Sequence, residues 1–410
     1  MRRTLGLLWP MLASLLLPLA VAWFVYPATH LPPGFGVFPP EFVAAAPPFW
    51  LLAFIIVGLI EIVIAAFLIK PTWFGFQPVV PKPPLPLTKL PYWFWIGLVL
   101  TVFFWWLMWS RVTVFGNLVY YAFTPLWWGF ILVLDGLVYR RNGGQSLLSG
   151  RSTTLFISSL VSIAGWGVFE YFDYFALGNW YYPNGNMPEL SHGMIVFLFI
   201  IAYTTVWPAV FEWYTLLNTF PVMAARYSRG PKLALPGSPL LWLGLILISV
   251  MVVFPYPLFW VLWIGPLIVL SGQLIRKGVW TPFTAMAQGN WGPMVLMALS
   301  SLFNGFFWEL WNFGSANPNP APQTNPNYWI YDIPYVNVIH IFAEMPLEGY
   351  AGYLPFGILV WIVFIWAGEV FGFSTDLGVQ TGAGASNTAS ADNPAASDIP
   401  GLVPGPAHRL

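Results

Sequence analysis

The sequence contains no cysteine. That excludes disulfides, thiolate nucleophiles, zinc–thiolate centres and Cys-ligated clusters. Charge is the second scarcity. Only 7% of the 410 residues are Asp, Glu, Lys or Arg, where a soluble domain carries roughly 25%. So few charges cannot coat a surface facing water. Nothing resembles a basic patch that would release counterions from phosphates, so nucleic acid is excluded as a partner. What fills the chain is apolar, at 58% hydrophobic and 19% aromatic with a mean hydropathy of +0.71. This composition predicts an all-α, polytopic membrane helical bundle.

A helix needs about 20 apolar residues to cross a ~30 Å hydrocarbon core. Runs of that kind lie at roughly 5–26, 48–69, 91–109, 114–138, 153–177, 193–217, 239–254, 257–275, 291–313, 335–355 and 356–372. They predict ten or eleven transmembrane helices. The first run could be read as a secretory signal, with Arg2-Arg3 before it and Ala20-Val21-Ala22 as a cleavage-like site. Its continuation through Trp23-Phe24-Val25-Tyr26 favours a retained helix. Positive charge sets the orientation. With the N-terminus cytoplasmic, every Lys and Arg falls on the inner side except Arg111 and the tail residue Arg409. The compact loops point to a bacterial inner membrane. The chain divides into a two-helix unit (1–70), a Pro-rich linker (71–90), two four-helix units (91–232 and 233–372, the second with a possible extra helix) and a Gly/Ala/Ser/Asn-rich tail expected to be disordered (373–410).

The two four-helix units resemble each other. Phe169-Glu170-Tyr171-Phe172-Asp173 matches Trp308-Glu309-Leu310-Trp311-Asn312, and Trp180-Tyr181-Tyr182 matches Trp329-Ile330-Tyr331. Pro208 follows the first motif much as Pro346 follows the second. Pro125-Leu126-Trp127-Trp128 matches Pro257-Leu258-Phe259-Trp260, and Gly136 with Arg140-Arg141 matches Gly272 with Arg276-Lys277. The expectation is a parallel 4+4 internal duplication about an axis along the membrane normal.

Acidic residues are concentrated where they are expensive. Glu61, Asp135, Glu170, Asp173, Glu212, Glu309, Glu344, Glu348 and Glu369 fall within or beside the predicted spans, where a charge at mid-bilayer costs at least ~2.5–3.5 kcal/mol. A lone acid such as Glu61, Asp135 or Glu369 has a structural reading, a bond to a neighbouring helix worth ~0.6 kcal/mol. The duplicated group reads as a site in the outer half of the membrane. Glu170/Asp173 and Glu309/Asn312 are i,i+3 pairs, and His340, Glu344 and Glu348 recur every fourth residue, which predicts one face of a tenth helix. His192 stands at the outer start of the sixth span. Trp180, Tyr182, Trp329 and Tyr331 sit in the long outer loops 178–192 and 314–334, as candidate substrate-binding groups with His192 and Asn312. Most other aromatics read as interface belts and lipid-facing bulk.

Desolvated carboxyl groups could run acid catalysis on an apolar polyene. Aromatic faces would stabilise the carbocation without quenching it, and a second carboxylate would remove the final proton. On this reading Glu309 and Glu348 are the proton-donor candidates, with Glu170, Asp173, Glu344 and His340 as partners or bases. The same acids are competent ligands for a hard cation, but the Glu-x-x-His pattern of bundle di-iron sites is missing and no metal is assigned.

Asp173 with Ala176, then Gly178-Asn179-Trp180-Tyr181-Tyr182, and later Met345-Pro346-Leu347-Glu348, resemble the small integral-membrane carotenoid (lycopene) cyclases. Those are duplicated helical units with a Trp-Tyr element and a Pro-Leu-Glu-Glu element. The second Glu of the latter is Gly349 here. The resemblance implies cofactor-free cyclisation of polyene ends. The expected function is therefore membrane-embedded cyclisation or isomerisation of a lipophilic isoprenoid-type substrate, with a membrane lipid or isoprenoid as partner. The alternatives are a transporter or proton-coupled carrier, or a non-catalytic subunit bound to a membrane-protein partner.

Overall fold

A computed structural model describes residues 2–112, 114–316 and 324–379. It is mostly helical, with almost no strand. In chain order come α1 (Arg2–Val25), α2 (Leu51–Ile69), α3 (Tyr92–Ser110), α4 (Phe123–Arg141), the short α5 (Leu147–Gly150), α6 (Ser152–Phe175), α7 (His192–Tyr203), α8 (Val206–Asn218) and the short α9 (Pro221–Arg226). They are followed by α10 (Gly237–Val253), α11 (Val261–Arg276), the short α12 (Pro282–Ala287), α13 (Gly292–Gly314) and α14 (Tyr353–Phe371). Among the described residues, seven helical segments are long and apolar enough to cross a membrane. They are α1, α2, α3, α6, the α7–α8 segment, α13 and α14 with the turn before it. The apolar α10 and α11 are shorter. Most of the predicted tail, 380–410, lies outside the described residues, as does part of the loop 314–334.

Glycine lets two helical hairpins close tightly. In α3–α4, a Cβ on Gly97 would stand 2.6 Å from the Gly129 carbonyl, and one on Gly136 would stand 2.6 Å from Phe94 Cβ. In α10–α11, a Cβ on Gly244 would stand 3.0 Å from the Gly265 carbonyl, and one on Gly272 would stand 2.6 Å from the Leu241 amide. The remaining long helices wrap these hairpins. α8 packs on α4, α6 and α13, while α14 packs on α11 and α13. α1 joins the bundle against α10 and α11, and its Leu7 carbonyl accepts from the Trp366 indole at 2.8 Å. α2 stands apart with no buried residue. Its side chains are apolar on every side save Glu61, the pattern of a helix surrounded by lipid.

One helix is broken at mid-span. Pro208 has no N–H to offer the Thr204 carbonyl, and the Thr204 and Thr205 hydroxyls turn back to the Ile201 and Ala202 carbonyls at 2.6 and 2.7 Å. The Ser162 hydroxyl of α6 enters the gap. It donates to the Tyr203 carbonyl and accepts from the Trp207 amide at 3.1 Å. A side chain inserted into the ladder is a recognised cause of a helix break. Here it separates α7 from α8 and fixes Tyr203 against α6.

The connections sort into two groups, each bonded within itself. At one end Gln77 bonds Arg229, Thr88 bonds Arg140, Gly230 bonds Gly289 and Arg141 bonds Thr219. At the other end the strap 26–50 lies over the long loops, through Tyr182 to Pro40, Trp50 to Tyr335 and Ala46 to Asp332. There, among the described residues, a short antiparallel pair forms from β1 (Trp180–Tyr181) and β2 (Ile330–Tyr331), with Trp180 opposite Tyr331 and Tyr181 opposite Ile330. The first end gathers the basic loops and the second has Arg111, the same partition that the charge count predicts.

Three expectations change. The run 335–355 is not a helix. Tyr335 and Ile339 have positive φ (66° and 58°), Pro334 and Pro346 bracket them, and regular structure resumes with a 3-10 turn, Leu347–Gly352, leading into α14. His340, Glu344 and Glu348 therefore do not share a helix face. Pro208 and Pro346 are not equivalent, one lying inside α8 and the other before the turn. Likewise Pro125 lies in the first turn of α4, whereas Pro257 precedes α11.

Candidate functional site

Glu170, near the C-terminal end of α6, is buried to 3% exposure and gathers four donors. The Trp166 indole, one turn earlier, and the phenols of Tyr182 and Tyr203 donate to Oε1 at 2.8, 2.6 and 2.9 Å. The Trp180 indole donates to Oε2 at 3.2 Å. They come from three places, α6 itself, the loop carrying β1, and the C-terminus of α7 at the helix break. An indole N–H can only donate, and both carboxyl oxygens face one. The cage presents Glu170 as an acceptor.

Asp173, on the next turn, has a different environment. Its Oδ1 accepts from the Asn179 amide at 2.7 Å and side chain at 3.3 Å, while Oδ2 is buried without a hydrogen bond. Two carboxyls one turn apart thus differ in their surroundings, one saturated with donors and one with a bare oxygen.

A cleft of about 280 Å³ opens beside Glu170 on the flank of the bundle. Ile163, Gly167 and Tyr171 of α6 face Ile200 and Tyr203 of α7 across it, and Phe38 of the strap covers its upper part. Phe38 meets Phe199 and Tyr203 edge-on at 5.6 and 6.5 Å. A Cβ at Gly167 would have nothing within 4 Å, so the glycine keeps the mouth wide. The walls are aromatic and aliphatic, and the polar groups are Glu170 and the phenols.

Glu309 of α13 is built in a parallel way but closed. It is fully buried. Tyr331 and Tyr353 donate to Oε1 at 2.8 and 2.5 Å, and Oε2 has no hydrogen bond of good geometry. Asn312 pins the following loop, donating to the Trp329 carbonyl at 2.8 Å and accepting from the Trp329 amide at 3.0 Å. Trp329 itself meets Phe123 edge-on. The two acid centres touch through rings, since Trp166 lies 6.3 Å from Trp308, and both contact Phe356 at 6.0 and 5.8 Å. Burial first, and then the facing carboxyl, push the phenols of Tyr182 and Tyr331 well above their ordinary value, which keeps both as proton-bearing donors.

The other expected residues lie elsewhere. Glu344 accepts from Tyr328 at 2.7 Å in the irregular segment, and His340 is exposed beside a backbone bridge to Pro346. Glu348 is buried against Gly58 and faces Glu61. His192 is exposed at the first turn of α7, which Ser191 caps. Trp166, Tyr203, Tyr353, Phe38 and Gly167 were not anticipated. The i,i+4 spacing of Trp166 and Glu170 was a readable signal for the first. The others depend on the helix break and the strap. Among the described residues no group of three or more His, Cys, Asp or Glu is placed to hold a metal ion.

The chain was compared with protein-family models, curated proteins and solved structures, and none of them matches it.

Proposed function

We propose that the protein is a membrane-embedded isomerase or cyclase for a lipophilic polyene of isoprenoid type, with Glu170 as its working carboxylate. One observation carries the reading: a buried carboxylate, held by four donors, stands at the floor of a side cleft lined by aromatic rings. An apolar chain could reach that cleft from the lipid without crossing water. The aromatic walls favour a developing cation over a neutral chain. A proton added at a terminal double bond creates the cation, ring closure forms a carbon–carbon bond, and a proton on the neighbouring carbon leaves to Glu170. The net change is isomerisation, so no oxidant or cofactor is consumed. Asp173, with its bare Oδ2, is the adjoining acid that would return the proton. The likeness to the carotenoid cyclases points the same way through Asp173 and the Trp180–Tyr182 element. Glu309 and Glu348, the donor candidates from spacing, become a closed counterpart and a separate site.

A duplicated origin of the two halves is part of this reading. Its support is the matching of Phe94, Gly97, Gly129 and Gly136 with Leu241, Gly244, Gly265 and Gly272 at the hairpin contacts, of Tyr182 with Tyr331, and of Tyr203 with Tyr353. The positive-inside bias supports a cytoplasmic N-terminus and an outward-facing Glu170 cleft.

The test is expression in a host that accumulates an acyclic polyene, with the pigment extracted and resolved by chromatography. The wild-type protein yields a ring-bearing or shifted isomer. Glu170→Gln, matched for membrane abundance, yields none, and unchanged product from that variant would remove the assignment. A carrier is the second reading, favoured by the mid-span break between α7 and α8. It predicts no new product, and substrate or proton flux in proteoliposomes that Glu170→Gln abolishes.

A further inference from the structure

Outside the residues that line the Glu170 cleft, the turn that carries Glu348 packs on the helix that carries Glu61, and that helix offers no basic side chain. Glu61 is the one polar side chain of α2, and Glu348 lies on the 3-10 turn that packs against that helix. Glu348 is 6% exposed, and neither of its oxygens makes a well-formed hydrogen bond. Glu61 Oε1 is buried and unpartnered as well. The approach is close because residue 58 is glycine, where a Cβ would stand 3.1 Å from Glu348 Oε1. The charged group facing Glu348 is Glu61, and α2 has no basic residue. Asp135 of α4, by contrast, is a satisfied structural anchor that accepts from Trp93, Ser146 and the Leu148 amide.

Buried polar atoms without partners call for a ligand, and an ionisable group at membrane depth is a functional site by default. We infer that Glu61 and Glu348 together bind one small monovalent cation, a proton or Na⁺, at a site separate from the Glu170 cleft and reached along the lipid-exposed flank of α2. Two adjacent carboxylates cannot both stay ionised without such a charge between them. A bare pair with no fixed counter-charge suits a cation that comes and goes.

A hydrophobic carbodiimide tests this. The protonated carboxyl adds across its N=C=N group, and the acyl group then shifts to nitrogen, so the reagent stays attached and no atom is lost. The full-length protein in lipid nanodiscs is labelled at about pH 8 in choline buffer, and the Glu61 peptide is quantified by mass spectrometry. Glu61 is labelled in the wild type because the pair must keep a proton. In Glu348→Gln the like charge is gone and an amide can donate to Glu61, so labelling falls roughly five-fold or more. Glu348→Asp restores it, which separates pairing from misfolding, and Glu170→Gln leaves it unchanged. Protection by Na⁺ but not by choline identifies the cation as Na⁺. Labelling indifferent to Na⁺ identifies it as a proton. Equal labelling of Glu61 in the wild type and Glu348→Gln, or none in either, overturns the inference.

Discussion

Glu170 accepts from two indoles that can only donate and from two phenols. Each donor therefore has a measurable share in holding the carboxylate. Tyr203→Phe removes one donor and leaves the ring in place, and a hydrogen bond to a charged group is worth ~1.5–3 kcal/mol. The expected outcome is a lower thermal midpoint in detergent together with reduced product, whereas His340→Ala, at an exposed position, changes neither. Thermal scans of both variants beside the wild type decide it. At this scale the sequence was half legible. The Glu-Tyr-Phe-Asp and Trp-Glu-Leu-Trp-Asn motifs, with the Trp-Tyr elements after them, marked Glu170, Asp173, Glu309, Asn312, Trp180, Tyr182 and Tyr331. Spacing could not show which carboxyl would receive the donors. Tyr203 joins Glu170 only because Ser162 and Pro208 break the intervening helix, a tertiary event that no local pattern carries.

Most helices follow the apolar runs, though among the described residues seven segments rather than ten or eleven are long and apolar enough to cross a membrane, and the run that forms no helix has a chemical cause. Residues 335–346 are apolar enough to look like a span, yet prolines at both ends and two left-handed residues turn them into irregular chain. Hydropathy counts side chains and is blind to backbone preference. His340, Glu344 and Glu348 were grouped on a face that never forms. The hairpin glycines give this scale its prediction. Gly129→Leu would drive a side chain into the α3 backbone, where even a Cβ would stand 2.8 Å from the Thr101 amide. Overpacking of a tight interface costs typically ~1–3 kcal/mol. Purified Gly129→Leu should therefore unfold at a lower temperature than Gly167→Leu, whose side chain enters open space. Equal midpoints for the two would contradict the packing described for α3 and α4.

For the molecule as a whole, partition of charge was the most legible property. The basic loops, with the Pro-rich linker 71–90 among them, are bonded together at one end, and the aromatic loops that carry β1 and β2 at the other. The long-range arrangement of strap over loops was not legible, because it is held by scattered backbone and side-chain bonds between distant segments that share no local pattern. This outer assembly has a pH signature. Burial, and then Glu344, raise the phenol of Tyr328 above 10.0, while burial and the facing carboxyls raise those of Tyr182 and Tyr331. The folded protein thus holds these protons more tightly than the unfolded chain. The stability they contribute is complete below about pH 10 and is lost as pH climbs beyond it. Thermal midpoints from neutral to strongly alkaline pH should fall above that point, and less steeply in Tyr328→Phe. A fall that begins well below pH 10 would need other groups.

The β1–β2 pair is two residues long on each side, yet it has an effect out of proportion to its size. Tyr182 follows directly on β1 and holds Glu170, and Tyr331 ends β2 and holds Glu309. The strands are registered to each other, so neither phenol can withdraw from its acid without tugging the other. On the function proposed above, a guest in the open cleft would be felt at the closed centre, and the effect would be reciprocal. A clasp of four residues ties together the loops that serve both acid centres.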